Sequence, residues 1–216
     1  MGVVTRAGSA ERTSATRVPN RWGEGQQLRQ EILDAAGRLL RDTDAPEQVS
    51  LRAIAREAGI SAGAVYSHFK DKNELMWTLL DGAYTTLAAQ MRAARDATPA
   101  DDPWAALRAT VDTYCELATG SPHRYDLLFR VGPGLPPPQA LPIHPMARLL
   151  EVWRETVTAY LERTGGDPGA GDLTAKLLWS SLHGQLGLWR NVSPLADDAV
   201  LEELRDAVMK ALFGRR

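Results

Sequence analysis

Cysteine is nearly absent from the chain: Cys115 is the single one in 216 residues. It has no intramolecular partner for a disulfide, which suits a reducing compartment, and the expected location is the cytoplasm. No run of 18 or more apolar residues occurs, and no apolar stretch follows the N-terminus. The expectation is therefore a protein without a membrane span or signal peptide. Charge of one sign is also lacking, because 25 Lys/Arg stand against 27 Asp/Glu for a net charge of -2. Composition alone does not mark a nucleic-acid partner. Catalytic motifs are missing too. There is no Gly-x-Ser-x-Gly elbow, no His-Glu-x-x-His and no phosphate-cradling glycine loop. The four histidines, His68, His123, His144 and His183, show no metal-ligand spacing among themselves or with Cys115. Ser180, Ser181 and His183 are close in sequence but have no oxyanion hole beside them. Neither an enzyme nor a metal or cofactor is expected.

What the chain does have is helical period. Apolar residues make up 44% of it, enough for a real core. Residues 1–22 are rich in Ser, Thr, Gly and Arg without an apolar period, and read as a flexible arm carrying Arg6, Arg12, Arg17 and Arg21. Leu28, Ile32, Ala35, Ala36, Leu39 and Leu40 then mark one helix face. A loop with Pro46 follows, and after it two short helices from about Leu51 and Ser61. Asp71 and Glu74 fit a capping box opening a helix that runs to about Ala97. Further helices are expected over about 102–119, 121–130, 145–163, 172–190 and 196–213. Between them, residues 132–145 hold six prolines and two glycines, a composition that regular elements do not tolerate. No segment reads as a strand. The fold class is all-α, with about nine helices.

Residues 50–75, SLRAIAREAGISAGAVYSHFKDKNEL, are the most informative stretch. Leu51, Ile54, Ala55 and Ala58 keep helical spacing up to Gly59, which can take the positive φ of a sharp turn. Ser61 stands where an N-cap belongs, and Val65 and Phe69 return to the core. Ala55 is small enough for two helices to cross closely. Helix, glycine turn, second helix and capped third helix make a helix-turn-helix, the motif that lays its second helix in the DNA major groove. Charge agrees weakly: residues 1–72 hold 11 Lys/Arg against 9 Asp/Glu, and the remainder 14 against 18.

The words ILDAAGRLL and LRAIAREAGISAGAVYSHFKDKNEL resemble the TetR family of bacterial transcription regulators over residues 28–80. Further on, YDLLF at 125–129 and WSSLHGQLGLW at 179–189 look like the Leu-His-Gly pattern of one subgroup of that family's ligand domains. The resemblance implies an N-terminal DNA-binding domain over 23–72 and a C-terminal ligand-binding and dimerisation domain over 73–216. It also implies a homodimer on a palindromic double-stranded operator, usually a repressor that a small molecule releases.

On these grounds the expected DNA-binding residues are Ser50, Arg52, Ser61, Ala62, Gly63, Ala64, Tyr66, Ser67, His68 and Lys72. Gly63 inside a helix costs about 1 kcal/mol relative to alanine, which points to close approach by DNA or else to a loose first turn. Ala64 departs from many relatives, which carry threonine there, so a hydroxyl near the bases is absent. Base contact then falls to Arg52, Ser61, Tyr66 and the methyls of Ala62 and Ala64. Lys72 opens a helix, where the dipole disfavours a cation unless a phosphate sits nearby.

Aromatics are sparse at 6%, yet six of them are tryptophan. The nominees for an apolar effector pocket are Tyr125, Phe129, Trp153, Trp179 and His183. For each, ordinary core packing is the competing reading, and for Cys115 it is an inert buried thiol. Ser180, Gly184 and Gly187 form a small-residue stripe which, with Leu201, Leu204 and Val208, suits a two-fold four-helix dimer interface. The expected mechanism has the effector move the helix over 71–97, which carries the DNA-binding head as a lever.

Overall fold

A computed structural model of the chain describes residues 24–43, 48–120, 122–129, 144–191 and 198–214. The arm expected over 1–22, the turn at Pro46 and the proline-rich residues 132–143 lie outside these. Nine α-helices occur among the described residues, with no strand: α1 (Glu24–Arg41), α2 (Leu51–Glu57), α3 (Ala62–Tyr66), α4 (Lys72–Asp96), α5 (Pro103–Gly120), α6 (Pro122–Phe129), α7 (Ala147–Thr164), α8 (Gly171–Asn191) and α9 (Asp198–Phe213). Each agrees with a periodic segment of the sequence to within a few residues.

Local chemistry explains the boundaries. The Ser50 hydroxyl accepts from Ala53 N–H at 3.2 Å and Ser61 Oγ from Ala64 N–H at 3.1 Å, so both short helices start on a serine cap. Asp71 Oδ1 accepts from Glu74 N–H at 2.8 Å. The return contact of this capping box goes to Lys70 N–H at 2.8 Å, one residue before the cap. Gly59 has φ of 67° and closes the turn between α2 and α3. Ile60 N–H donates to Ala55 O across it at 3.0 Å.

Two cores form. The smaller holds Ile32, Ala35 and Ala36 of α1, Ile54 and Ala55 of α2, Val65, Phe69, and Leu75 and Met76 at the start of α4. Arg29 lays its guanidinium 4.7 Å from the Phe69 ring centre and donates to Thr78 Oγ1 at 3.2 Å, fastening α1 to α4. The larger core begins one residue later, at Trp77, and runs through α4 to α9. The two cores therefore overlap along the first turns of α4, where Leu75, Met76 and Leu79 serve the head while Trp77 and Leu80 serve the larger core.

Ion pairs then hold α4 against α7. Arg92 forks onto Glu155 at 3.0 and 3.1 Å, and Arg95 adds a third contact at 3.1 Å. Nearer the head, Arg148 pairs with Asp81 at 2.5 Å. The hydrogen bond from Arg92, opposed by desolvation, is the main cause that holds the Glu155 carboxyl below its ordinary pKa.

Gly59→Ala should lower stability by about 1 kcal/mol, because an L residue is strained at that φ even though a Cβ would meet nothing there. Urea unfolding measures it; unchanged stability would mean that the turn re-forms with other dihedral angles.

Candidate DNA interface and aromatic cluster

The caps that start α2, α3 and α4 bring the sequence nominees to one side of the head. Ser50, Arg52, Tyr66, Asp71 and Lys72 surround an open hollow of about 580 Å³, together with Gln48, Val49 and Leu51. Tyr66 is 55% exposed, unusual for a ring in a chain with few aromatics. Ser50 Oγ accepts its cap bond, which leaves its own proton for an outside acceptor. Arg52 is exposed. Lys72 opens α4 on the same hollow, beside the Asp71 carboxylate that caps the helix.

Gly63 is exposed at the front of α3, and a Cβ there would meet nothing nearer than Ser61 Oγ at 3.8 Å. Nothing in the chain's own packing requires glycine at that position. Two nominees are committed elsewhere. Ala62 packs on the small core, so its methyl is engaged inside the head. Ser67 Oγ donates to Ala64 O at 2.7 Å, which uses the proton a phosphate contact would need. Ser61 keeps its proton and is exposed, Ala64 is half-buried outside the core, and His68 is half-buried.

In the larger core the five pocket nominees meet, but around a residue that sequence reasoning left unassigned. Tyr114 of α5 is the hub. Trp179 Nε1 donates to its hydroxyl oxygen at 3.1 Å, and the hydroxyl in turn lies 3.0 Å from His183 Nδ1. Tyr125 Oη reaches the same nitrogen at 3.3 Å. His183 Nδ1 therefore lies between two tyrosine hydroxyls. His183 stacks on Trp179 and Tyr125 with ring centres 5.5 and 5.8 Å apart, and Phe129 approaches it to 4.6 Å. Trp153 joins through Tyr114 at 5.4 Å, edge to face.

Tyr114 sits at an ordinary core position of α5, so its period is that of any buried apolar residue; the one sequence signal was that a buried tyrosine hydroxyl needs a partner. Burial raises its pKa well above the ordinary value and keeps it a hydroxyl. Desolvation lowers that of His183. Trp153 is fully buried, yet its Nε1 and the nearby Thr156 Oγ1 have no hydrogen-bond partner among the described residues.

The nominees for an interface divide. Ser180, Gly184 and Leu204 are exposed. Leu201 is buried in the larger core and Val208 packs against it, because both lie on the inner face of α9. A Cβ on Gly187 would touch Tyr125 Oη at 4.0 Å, so this glycine looks inward as well. The outward apolar positions are instead Leu173, Leu177 and Leu188 of α8 and Val200 and Leu204 of α9, from 41% to 69% exposed. On α8 they fall in line with Ser180 and Gly184 at helical spacing.

Two family models match the chain: "Bacterial regulatory proteins, tetR family" over residues 32–77 and "Tetracyclin repressor-like, C-terminal domain" over residues 107–212. A curated relative, an uncharacterized HTH-type transcriptional regulator of Haemophilus influenzae, is 35% identical over 109 residues, which cover 50% of this chain and 52% of that protein. The match thus spans about half of the relative's length. A solved TetR-family transcriptional regulator from Streptomyces coelicolor superimposes with TM-score 0.66 at 21% identity, covering 88% of this chain and 98% of that one. The transcriptional regulator FadR of Bacillus subtilis, solved with stearoyl-CoA, does so with TM-score 0.66 at 16% identity, over 87% and 99%. At these identities the structural likeness speaks for the fold.

The depressed pKa of His183 has a pH consequence. A histidine held neutral by burial contributes stability above its ordinary value of 6.5, and this is lost as pH falls through the lowered native value. The stability advantage of the wild type over His183→Gln should be greatest above that pH and shrink in acid. Urea unfolding from pH 8 to pH 5 tests this; an advantage that grows toward acid would show the imidazole to be charged in the fold.

Proposed function

The chain belongs to the TetR family of bacterial regulatory proteins, and on that footing we propose a dimeric, sequence-specific cytoplasmic repressor that a small apolar or aromatic effector releases from a palindromic operator. Membership of that family makes it a DNA-binding regulator and not an enzyme. No described helix is long and apolar enough to cross a membrane.

The observation that carries the DNA reading is the front of α3. An exposed glycine that the fold does not need stands beside an exposed tyrosine, above a hollow where Ser50, Arg52 and Lys72 converge. A backbone without a Cβ lets a base edge or sugar come close, while the hollow takes a phosphate. Ser50, Arg52, Ser61, Gly63, Ala64, Tyr66, His68 and Lys72 form the contact set.

The effector enters the aromatic cluster. The unpartnered Trp153 Nε1 and Thr156 Oγ1 support a guest with a hydrogen-bond acceptor. FadR of Bacillus subtilis was solved with stearoyl-CoA, an apolar chain on a polar head. An effector of apolar body suits the same region here. Displacement of Trp153 moves α7, and Arg148 and Glu155 pass that movement to α4 through Asp81, Arg92 and Arg95. Leu75 and Met76 then carry it into the head core. A change in the spacing of two recognition helices away from about 34 Å, one turn of DNA, weakens operator binding.

A second copy of the chain covers the outward apolar face of α8 and α9, with Leu173, Leu177, Leu188, Val200 and Leu204 at its centre and Ser180 and Gly184 allowing close helix approach.

Two measurements test this reading. In electrophoretic mobility shift with DNA from upstream of its own gene, or with DNA selected from a random pool, wild type should give a saturable, competitor-resistant shift. Gly63→Ala should lose affinity about tenfold or more while its stability stays equal or rises, since alanine is the better helix former. Equal affinity, or absence of any selected sequence, would remove the proposed interface. For the dimer, Leu177→Glu with Leu204→Glu should sediment as a folded monomer where wild type is a dimer; two identical profiles would place the interface elsewhere.

A further inference from the structure

A cleft of about 410 Å³ lies between α5, α8 and α9. That volume is within the range of small-molecule sites. Its apolar floor is Leu182, Leu186 and Leu201, all buried, with Cys115 beside them. Burial pushes the Cys115 thiol up to about 12, so it is a neutral part of that floor and not a nucleophile.

The charges around the cleft are unequal in what they have left to give. Arg108 and Arg205 both stand against Asp112 and Asp206. Arg108 lies 3.6 Å from Asp112 and 3.3 Å from Asp206, and Arg205 lies 3.0 and 3.1 Å from the same two. Two guanidiniums and two carboxylates carry no net charge, so Glu116 and Glu202 leave the surroundings of the cleft net negative. Glu116 and Glu202 also line the cleft, exposed, and meet no ion-pair partner among the described residues. Gln185 supplies an amide on the α8 wall. An apolar floor under two unneutralised carboxylates suits an apolar body carrying positive charge.

We propose that this cleft is a second ligand site, separate from the aromatic cluster, which takes a lipophilic organic cation, its apolar body on Leu182, Leu186 and Leu201 and its charge between Glu116 and Glu202. The site does not depend on the effector reading, and it stays open in the proposed dimer. Glu202 lies two residues before Leu204, about 160° away around α9, so the apolar face and the cleft wall point in different directions.

The test uses the full chain without DNA and thioflavin T, an apolar benzothiazolium cation whose fluorescence rises when it is immobilised. Saturable binding of one dye per protomer is expected. Glu116→Gln with Glu202→Gln, both at exposed positions, should weaken it about tenfold or more. Glu162→Gln with Glu203→Gln, the same charge change at exposed positions outside the cleft, should leave it unaltered. Lack of saturable binding, an unchanged constant in the cleft variant, or an equal loss in both double variants would each overturn the proposal.

Discussion

The molecule depends on one helix being shared by two cores. α4 is 25 residues long, roughly 38 Å at about 1.5 Å per residue, and cannot be covered by either domain alone. Its first turns give Leu75, Met76 and Leu79 to the head, and Trp77 and the residues from Leu80 onward to the larger core. The head contains only short helices: α2 has seven residues and α3 has five. Helices of that length do not persist in isolation. They exist here because each is capped by a serine and because α1 and α4 close over their buried faces. Whatever fixes the direction of α4 also fixes where α3 points.

The ion pairs between α4 and α7 have meaning in that setting. They are partly exposed, and as stability contributions such pairs are small. Their geometry matters more. Glu155 accepts from two arginines one helical turn apart on α4, and Asp81 receives Arg148 from the first turn of α7. These contacts tie α4 to the first half of α7 at two levels.

Much of this was legible beforehand. The capping serines, the Asp71–Glu74 box, Gly59 at the turn and the apolar period of every long helix are signals between residues at most four apart. Such features can be read without knowing how the helices pack. The gathering of Tyr125, Phe129, Trp153, Trp179 and His183 was also anticipated as a group. The hub of the group was not, because Tyr114 becomes special only through the two side chains that its hydroxyl meets, 65 and 69 residues further on. Ala62 and Ser67 illustrate the same limit at the head. Their residue types suited DNA contact, yet one methyl and one hydroxyl were already taken by the fold.

The sequence by itself determined the class of fold, the order and ends of the helices, and the presence of a helix-turn-helix. Tertiary structure decided which side of each late helix is inner. On α9, Leu201, Leu204 and Val208 share a periodic pattern and a chemistry, but the crossing of α9 over α5 and α8 buries the first, leaves the second in the open and sets the third against the core. On α8, Gly184 opens outward while Gly187 faces Tyr125. A helix period gives relative positions around an axis. The rotation of that axis against its neighbours comes from burying all the faces at once, and no short stretch of sequence contains it.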